Sequence, residues 1–382
     1  MNLEDIKKQL KSISNHQVFP SVSIFLPVNV ADMPGTNEEQ TLIKTTFQDA
    51  LKKLSALEQM PSILEVARRV EKAGENLHID KFQKGIGIFI SIEQEVIVPL
   101  PFMVETKIHI GDSFEVRELV NIMGQMEPYM VLVFSEKKLL TLKGSGNHLT
   151  VMEVPDMIQS MDDILGHSDD QRFTHIHSDG VGAGPGVNFI QQGIQESNVE
   201  KLKLFINRID STLLKYLRDE KLRLVLVGGE KNVGHFTSFS KCNDFLLTII
   251  PGNYIHSNVH ELEQIVWPAV KDKLDEEKEK VIKELTETSN QFYVAGITEV
   301  WRAAAEGRVR TLVVEKDYQV QGVLQEDGYA ITVDFIEEGV GNVKEDAVDD
   351  LMELVMSKGG NIVVVDNGKL AQHQQIAAIT RY

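Results

Sequence analysis

The densest set of metal-type donors in the 382 residues is His175-Ile-His-Ser-Asp179. A His-x-His pair on an extended segment turns both imidazoles to one side, and an aspartate two residues on adds a hard oxygen. Borderline divalent metals accept such mixed sets. His175, His177 and Asp179 are therefore candidate metal ligands, and a metal-dependent hydrolase is one reading of the chain. Gly180 stands where a metallo-β-lactamase-like pattern would carry its next histidine. Solvated loop histidines are the competing reading, and the favoured one.

Directly downstream runs Gly180-Val-Gly-Ala-Gly-Pro-Gly186. Gly180, Gly182, Gly184 and Gly186 allow positive φ and close backbone approach, which suits a loop that enters an RNA cleft or cradles phosphate. A phosphate-binding P-loop is excluded, because the following Lys-Ser/Thr is missing and the segment does not join a strand to a helix. A plain connector is the alternative. Gln191 and Gln192, just beyond, offer an amide, or simply polar surface. Lys137, Lys138 and Lys143, with His148, surround the turn Gly144-Ser-Gly146 and are candidates for phosphate contact. Arg302, Arg308 and Arg310 form a second cationic group. Cys242 is the one cysteine, which excludes an internal disulfide and a cysteine-built zinc site and reads as an idle thiol. No Ser/His/Asp set and no Gly-x-Ser-x-Gly is present, so no catalytic residue is assigned and no cofactor is expected.

The elements that must position these residues alternate between strand and helix. MNLEDIKKQLKSI spaces Leu3, Ile6, Leu10 and Ile13 for an amphipathic helix, and Ser21–Pro27 reads as a strand. Helices around Leu42–Leu54 and Ser62–Ala73 follow, then strands Gly85–Ile92, Glu95–Leu100 and Lys107–Phe114. The segment from Tyr129 opens with strands Met130–Phe134, Lys138–Lys143 and Leu149–Val154. A loop of about 38 residues, Asp156–Gly193, is long enough to be functional or disordered. Ser197-Asn-Val-Glu200 matches a capping box and predicts a helix start there, with Leu202, Phe205, Ile206, Ile209, Leu213 and Leu217 on its core face. Arg223–Gly229 reads as a buried strand ending in glycines. Helix Val259–Leu274 leads into a charged run, and Ile297–Glu306, Val309–Glu315, Lys344–Met356, Asn361–Val365 and Ile376–Tyr382 then alternate as helix, strand, helix, strand and strand. Ala330–Phe335 is either a further strand or part of an insertion.

Net charge is −18, which argues against wrapping a nucleic acid with the whole surface. Residues 273–382 carry 12 Lys+Arg against 21 Asp+Glu, half of the net charge in the last 110 residues. RNA would therefore meet local patches in the first two segments, and the acidic third segment suits a protein partner. No apolar run approaches the ~20 residues of a membrane span, and the N-terminus has no signal-peptide core. A cytoplasmic protein without membrane contact is expected.

These segments, in this order, resemble the archaeo-eukaryotic class-1 peptide chain release factor and Pelota superfamily, most closely its bacterial branch. Val22-Ser-Ile-Phe-Leu-Pro27, Gly85-Ile-Gly-Ile-Phe89 and Ile108–Phe114 followed by Val116-Arg-Glu-Leu119 resemble the N domain. Gly180–Gly193, Ser197–Glu220 and Leu222–Gly229 resemble the glycine loop, basic-faced helix and glycine-ended strand of the middle domain. Trp301–Val314 and Ala377–Tyr382 resemble the C domain. The resemblance implies an α/β, three-domain chain: an α/β N domain over 1–127, a ribonuclease-H-like middle domain over 128–272, and an α-β-α C domain over 273–382 with the fold of kink-turn-binding ribosomal proteins. It implies the ribosome or a structured RNA as partner, met through Gly180–Gly186, Gln191, Gln192 and the three lysines. A translational GTPase on the acidic C domain follows from it too.

Three departures from the family's pattern narrow the function. Nothing between Leu54 and Ser62 supplies the Asn-Ile-Lys-Ser stop-codon reader. The Tyr-x-Cys-x-x-x-Phe motif stands here as Ile108, Ile110 and Phe114. The Gly-Gly-Gln tripeptide of peptide release is replaced by the Gly180–Gly186 run. The expectation is therefore a ribosome-associated factor in rescue, quality control or hibernation that does not read stop codons. A metal-dependent hydrolase and a non-catalytic interaction scaffold stay open.

Overall fold

The computed structural model describes residues 3–14, 16–28, 37–57, 60–77, 84–161, 186–287, 290–333 and 343–382, without the side chains of 37–39, 186–198 and 290. Contacts divide the chain into two compact units, 127–275 and the combination of 1–126 with 276–382. The division into three domains at 127/128 and 272/273 is a proposal; its support is that each of the three segments carries a main sheet of its own.

Residues 1–126 hold α1 (Leu3–Ile13), β1 (Gln17–Pro27), α2 (Asn37–Ser55), α3 (Pro61–Asn76), β2 (Gly85–Ile90), β3 (Glu95–Leu100), β4 (Lys107–Ser113) and α4 (Arg117–Gln125). The strands form an antiparallel sheet in the order β3-β2-β1-β4. Both faces of β2 are covered, which is why Gly85-Ile-Gly-Ile-Phe-Ile90 is apolar throughout rather than alternating. Val22, Ile24, Leu26, Ile86, Ile88 and Ile90 pack against α2 and α3. Phe25, Phe89, Val98 and Leu100 pack on the opposite side with α1 and α4. Phe114, the surviving aromatic of the motif named above, is fully buried, with its ring stacked on His16 at 4.8 Å and edge-on to Phe89 at 5.7 Å. It is a core residue.

Residues 127–275 hold β5 (Pro128–Phe134), β6 (Leu139–Ser145), β7 (His148–Val151), α5 (Gly186–Asp219), β8 (Arg223–Gly228), α6 (Glu230–Phe239), β9 (Leu246–Pro251) and most of α7 (Val259–Glu287). The sheet order is β7-β6-β5-β8-β9, antiparallel from β7 to β5 and parallel from β5 to β9. Met130, Leu132, Phe134, Leu224 and Leu226 meet the α5 and α6 side. Val131, Val133, Val225 and Val227 meet α7 on the other. The core face expected for α5, Leu202 through Leu217, is buried as read from its spacing. Its start is not at Ser197: the helix begins at Gly186, so Ser197 lies inside it. A capping box works only where the preceding backbone is non-helical. Between Val187 and Ser197 only Gly193 opposes helix, and one glycine costs about 1 kcal/mol relative to alanine. The expected loop 156–193 is correspondingly shorter, and its glycine run Gly180–Pro185 and the cluster His175, His177, Asp179 lie outside the described residues.

The last segment adds β10 (Tyr293–Ala295), α8 (Ile297–Ala305), β11 (Val309–Glu315), β12 (Gly322–Leu324), β13 (Ile331–Thr332), β14 (Val343–Lys344), α9 (Ala347–Ser357), β15 (Asn361–Val365) and β16 (Ile376–Thr380). Its main sheet runs β10-β16-β11-β15, with β11 and β15 parallel. α8 and α9 cover one face, and the end of α7, through Leu285, covers the other. The uncertain stretch around Ala330–Phe335 supplies β13 to a separate small sheet, β13-β12-β14. One apolar core holds Phe25, Phe114 and Leu119 together with Trp301, Leu312, Leu351 and Ile376.

A reciprocal polar tie reinforces that core. Val116, at the N-cap of α4, brings no capping side chain, so the first amides of the helix need another acceptor. The Asp349 carboxyl accepts from Val116 N–H at 3.0 Å and from Arg117 N–H at 2.9 Å. In return the Arg117 guanidinium, 1 % exposed, donates to Asp346 at 2.8 Å and to the Tyr318 carbonyl at 2.6 Å. Asp346 in turn caps α9 by accepting from the amides of Val348 and Asp349. Burial, with Glu115 and Asp346 close by, holds the Asp349 carboxyl well above its usual range. One turn further on, burial and the neighbouring Asp349 and Asp350 push Glu353 up to about 10.

Candidate nucleic-acid interface

The parallel strands β5 and β8 end side by side at Phe134 and Gly228. Any side chain at Gly228 would meet the Phe134 carbonyl oxygen at 2.6 Å, so this close approach requires glycine. The chain turns at Gly229 straight into α6, whose first turns carry Lys231 and, four residues on, His235. On the neighbouring side β5 turns into β6 through Ser135-Glu-Lys-Lys138. Ser135 closes that turn: its hydroxyl donates to the Lys138 carbonyl at 2.8 Å and accepts from the Lys138 amide at 3.0 Å. The strip Gln159–Met161 runs beside the hairpin, with Met161 N–H donating to the Lys137 carbonyl at 2.9 Å.

Between these pieces and α5 lies a groove of about 490 Å³, reached by Lys137, Lys201, Lys231 and His235. Glu136 is on its rim, and Met161, Val199 and Leu202 supply apolar wall. Among the described residues, no ion pair engages the Lys137 or Lys231 ammonium. The His235 ring stacks on Phe239 at 5.8 Å, which holds it against the helix. The groove thus sits beyond the carboxyl ends of parallel strands, where open α/β sheets commonly receive ligands.

A second cationic feature runs from the groove along α5. Lys201, Arg208 and Lys215 are seven residues apart, so they drift by only about 20° per step around the helix. Arg208 and Lys215 are exposed and Lys201 half-buried, on a side away from Leu202, Ile206, Ile209 and Leu213. From Lys201 to Lys215 the track is about 21 Å long at 1.5 Å per residue.

The residues picked out from the sequence do not form one patch. Lys137 and Lys138 sit at the hairpin tip, and Lys137 lines the groove. Lys143 lies on β6, about 17 Å further along at ~3.4 Å per residue, and faces Glu220 at 3.7 Å. His148 contacts Glu263 at 3.0 Å. Arg302 and Arg308 face Glu299 and Glu306, and Arg310 pairs with Glu284. Gly186 begins α5, and Gln191 and Gln192 lie in its second turn. Among the described residues no group of three or more His, Cys, Asp or Glu could hold a metal. The Cys242 thiol is buried and donates to Asp210 at 3.4 Å; burial first, then the Asp210 charge, pushes it up to about 12, so it is no nucleophile. Sequence reading missed Lys201, Lys231 and His235 as groove residues. For Lys201 the only signal was the basic face of α5, read as a whole; Lys231 and His235, on α6, had none.

No described helix is long and apolar enough to cross a membrane. No curated protein is detectably similar in sequence. Among solved structures, an archaeal translation termination factor aligns at 13% identity over 100% of this chain and 99% of its own, with a TM-score of 0.27. A translation termination-like factor of S. cerevisiae aligns at 14% identity over 76% and 74%, TM-score 0.38. Archaeoglobus fulgidus Pelota aligns at 12% identity over 81% and 83%, TM-score 0.34. Superpositions this loose say nothing about partners or activity. The family model of bacterial archaeo-eukaryotic release factor family 3 matches residues 128–308. Through that stretch, which holds both the groove and the basic face of α5, the chain is similar to the bacterial branch of the archaeo-eukaryotic release-factor superfamily.

Proposed function

We propose that this protein is a ribosome- or RNA-associated factor of the release-factor type that acts in rescue, quality control or hibernation without reading stop codons. The observation that carries the reading is the in-register series Lys201, Arg208 and Lys215 along an exposed side of α5, inside the family-matched stretch. Cations spaced along a rigid helix meet a phosphate backbone without reading its bases, which is how a factor holds onto structured RNA. The strand order β7-β6-β5-β8-β9, with β6 antiparallel to its neighbours, supports a ribonuclease-H-like middle domain.

Codon reading is set aside on two grounds. The codon-reading tetrapeptide is missing, and Phe114 is committed to the core. Peptide release lacks its Gly-Gly-Gln. The last segment, with its excess of carboxylates, is the surface for a protein partner, and a translational GTPase is the partner class that the family resemblance supports. Cosedimentation of the purified protein with 70S ribosomes at low and at moderate salt tests the reading. Association at low salt that weakens as salt rises is expected; no association at either removes the proposal.

A further inference from the structure

The groove at the ends of β5 and β8 has two kinds of wall. Two lysines that no ion pair engages among the described residues line it from separate elements, Lys137 from the hairpin and Lys231 from α6, with Lys201 of α5 beside them. Apolar surface from Met161, Val199 and the edge of Leu202 lines it beside them. Cations that converge from different elements repel one another, and the fold sustains that arrangement most easily when an anion sits between them. Glu136 is the one carboxylate among the lining residues, so the local balance stays positive in a chain that is acidic as a whole. A volume of about 490 Å³ lies within the range of small-molecule sites. A volume of that size is too small for a duplex but suits a single base turned out of a stack, which is the form in which proteins recognise RNA bases.

We infer that this groove binds one phosphorylated nucleoside, with the base against Met161, Val199 and Leu202 and the phosphate between Lys137 and Lys231. Glu136 then accepts from the ribose hydroxyls or an exocyclic amine, and His235 borders the phosphate. The same chemistry has two sources, an unstacked nucleotide within an RNA strand or a free mononucleotide. The inference deepens the RNA-binding reading above and rests on it only for the first source.

Full-length protein is titrated by calorimetry with AMP, adenosine and inorganic phosphate, and a fluorescent single-stranded pentanucleotide is then competed against AMP. AMP is expected to bind saturably, with adenosine and phosphate each weaker by roughly tenfold or more, since each satisfies one wall only. The double variant Lys137→Gln/Lys231→Gln should weaken AMP roughly tenfold, through loss of charge-assisted hydrogen bonds. Lys241→Gln/Lys271→Gln, at exposed positions outside the groove and off the α5 series, should leave AMP binding unchanged. Displacement of the pentanucleotide by AMP identifies the strand as the source, and displacement failure with AMP still bound identifies the free nucleotide. Absence of saturable AMP binding at millimolar concentration overturns the inference, as does equal AMP affinity in the groove double variant. Loss of ribosome cosedimentation with AMP binding intact would instead remove the proposed function and leave the groove standing.

Discussion

Replacing Glu353 with glutamine should change how the stability of the unit formed by 1–126 and 276–382 depends on pH. Glu353 lies on α9, 7 % exposed, with Oε1 buried and lacking a hydrogen-bond partner among the described residues. The titratable groups that face it are Asp349, Asp350 and Lys344, two carboxyls and one ammonium. Burial and those carboxyls raise its pKa from 4.5 to about 10. Between these values the folded state keeps the proton and the unfolded chain has lost it. Stability therefore falls as pH rises, by about 1.4 kcal/mol per pH unit for one such group. The slope does not depend on the height of the shift, only on the folded value lying above the pH range probed. Glu353→Gln keeps the shape and removes the titration. Over pH 5 to 8 its stability curve should be flatter than the wild type's by about 1.4 kcal/mol per unit, and at pH 7 it should be the more stable protein. Urea unfolding can be followed by Trp301 fluorescence in a Trp267→Phe background, since Trp301 is buried in the unit concerned. Parallel curves for the two proteins would refute the argument, because they would mean that Glu353 is ionised in the fold.

The polar tie between α4 and α9 should be more sensitive to loss of one partner than to loss of charge alone. Arg117→Met leaves Asp346 buried without its cation and should destabilise the same unit by about 3–5 kcal/mol in the Trp301 assay. Asp349→Ala uncovers the first amides of α4 and should cost about 1–2 kcal/mol or more. On α5, Arg208→Gln/Lys215→Gln removes two of the cations proposed to meet phosphate, so the log–log salt slope of RNA binding should shrink by roughly 1.4 to 1.8. An unchanged slope would mean that this side of the helix does not meet the backbone. Cys242 should resist a thiol reagent at pH 8 in the native protein and react fully in urea, because burial keeps it protonated.

Several elements could be read directly because local periodicity is set by backbone geometry. The alternation of strands and helices and the buried face of α5 each follow from spacing within one element, which no distant contact alters. The start of α5 was misplaced for a related reason. Ser197-x-x-Glu200 has the same residues whether the chain before it is coil or helix, and only the continuation upstream decides.

Order of elements, acidic balance, the missing tripeptide and the family resemblance were settled by the residues in line. Which cations act together was not. Lys137, Lys201 and Lys231 become neighbours only because two parallel strands end level and a glycine lets them approach. Arg117 and Asp346, 229 residues apart, meet only because the first and last segments close on one core. A linear pattern encodes which face of an element is apolar. It does not encode which faces will meet, and the charges that line a groove are decided by that meeting.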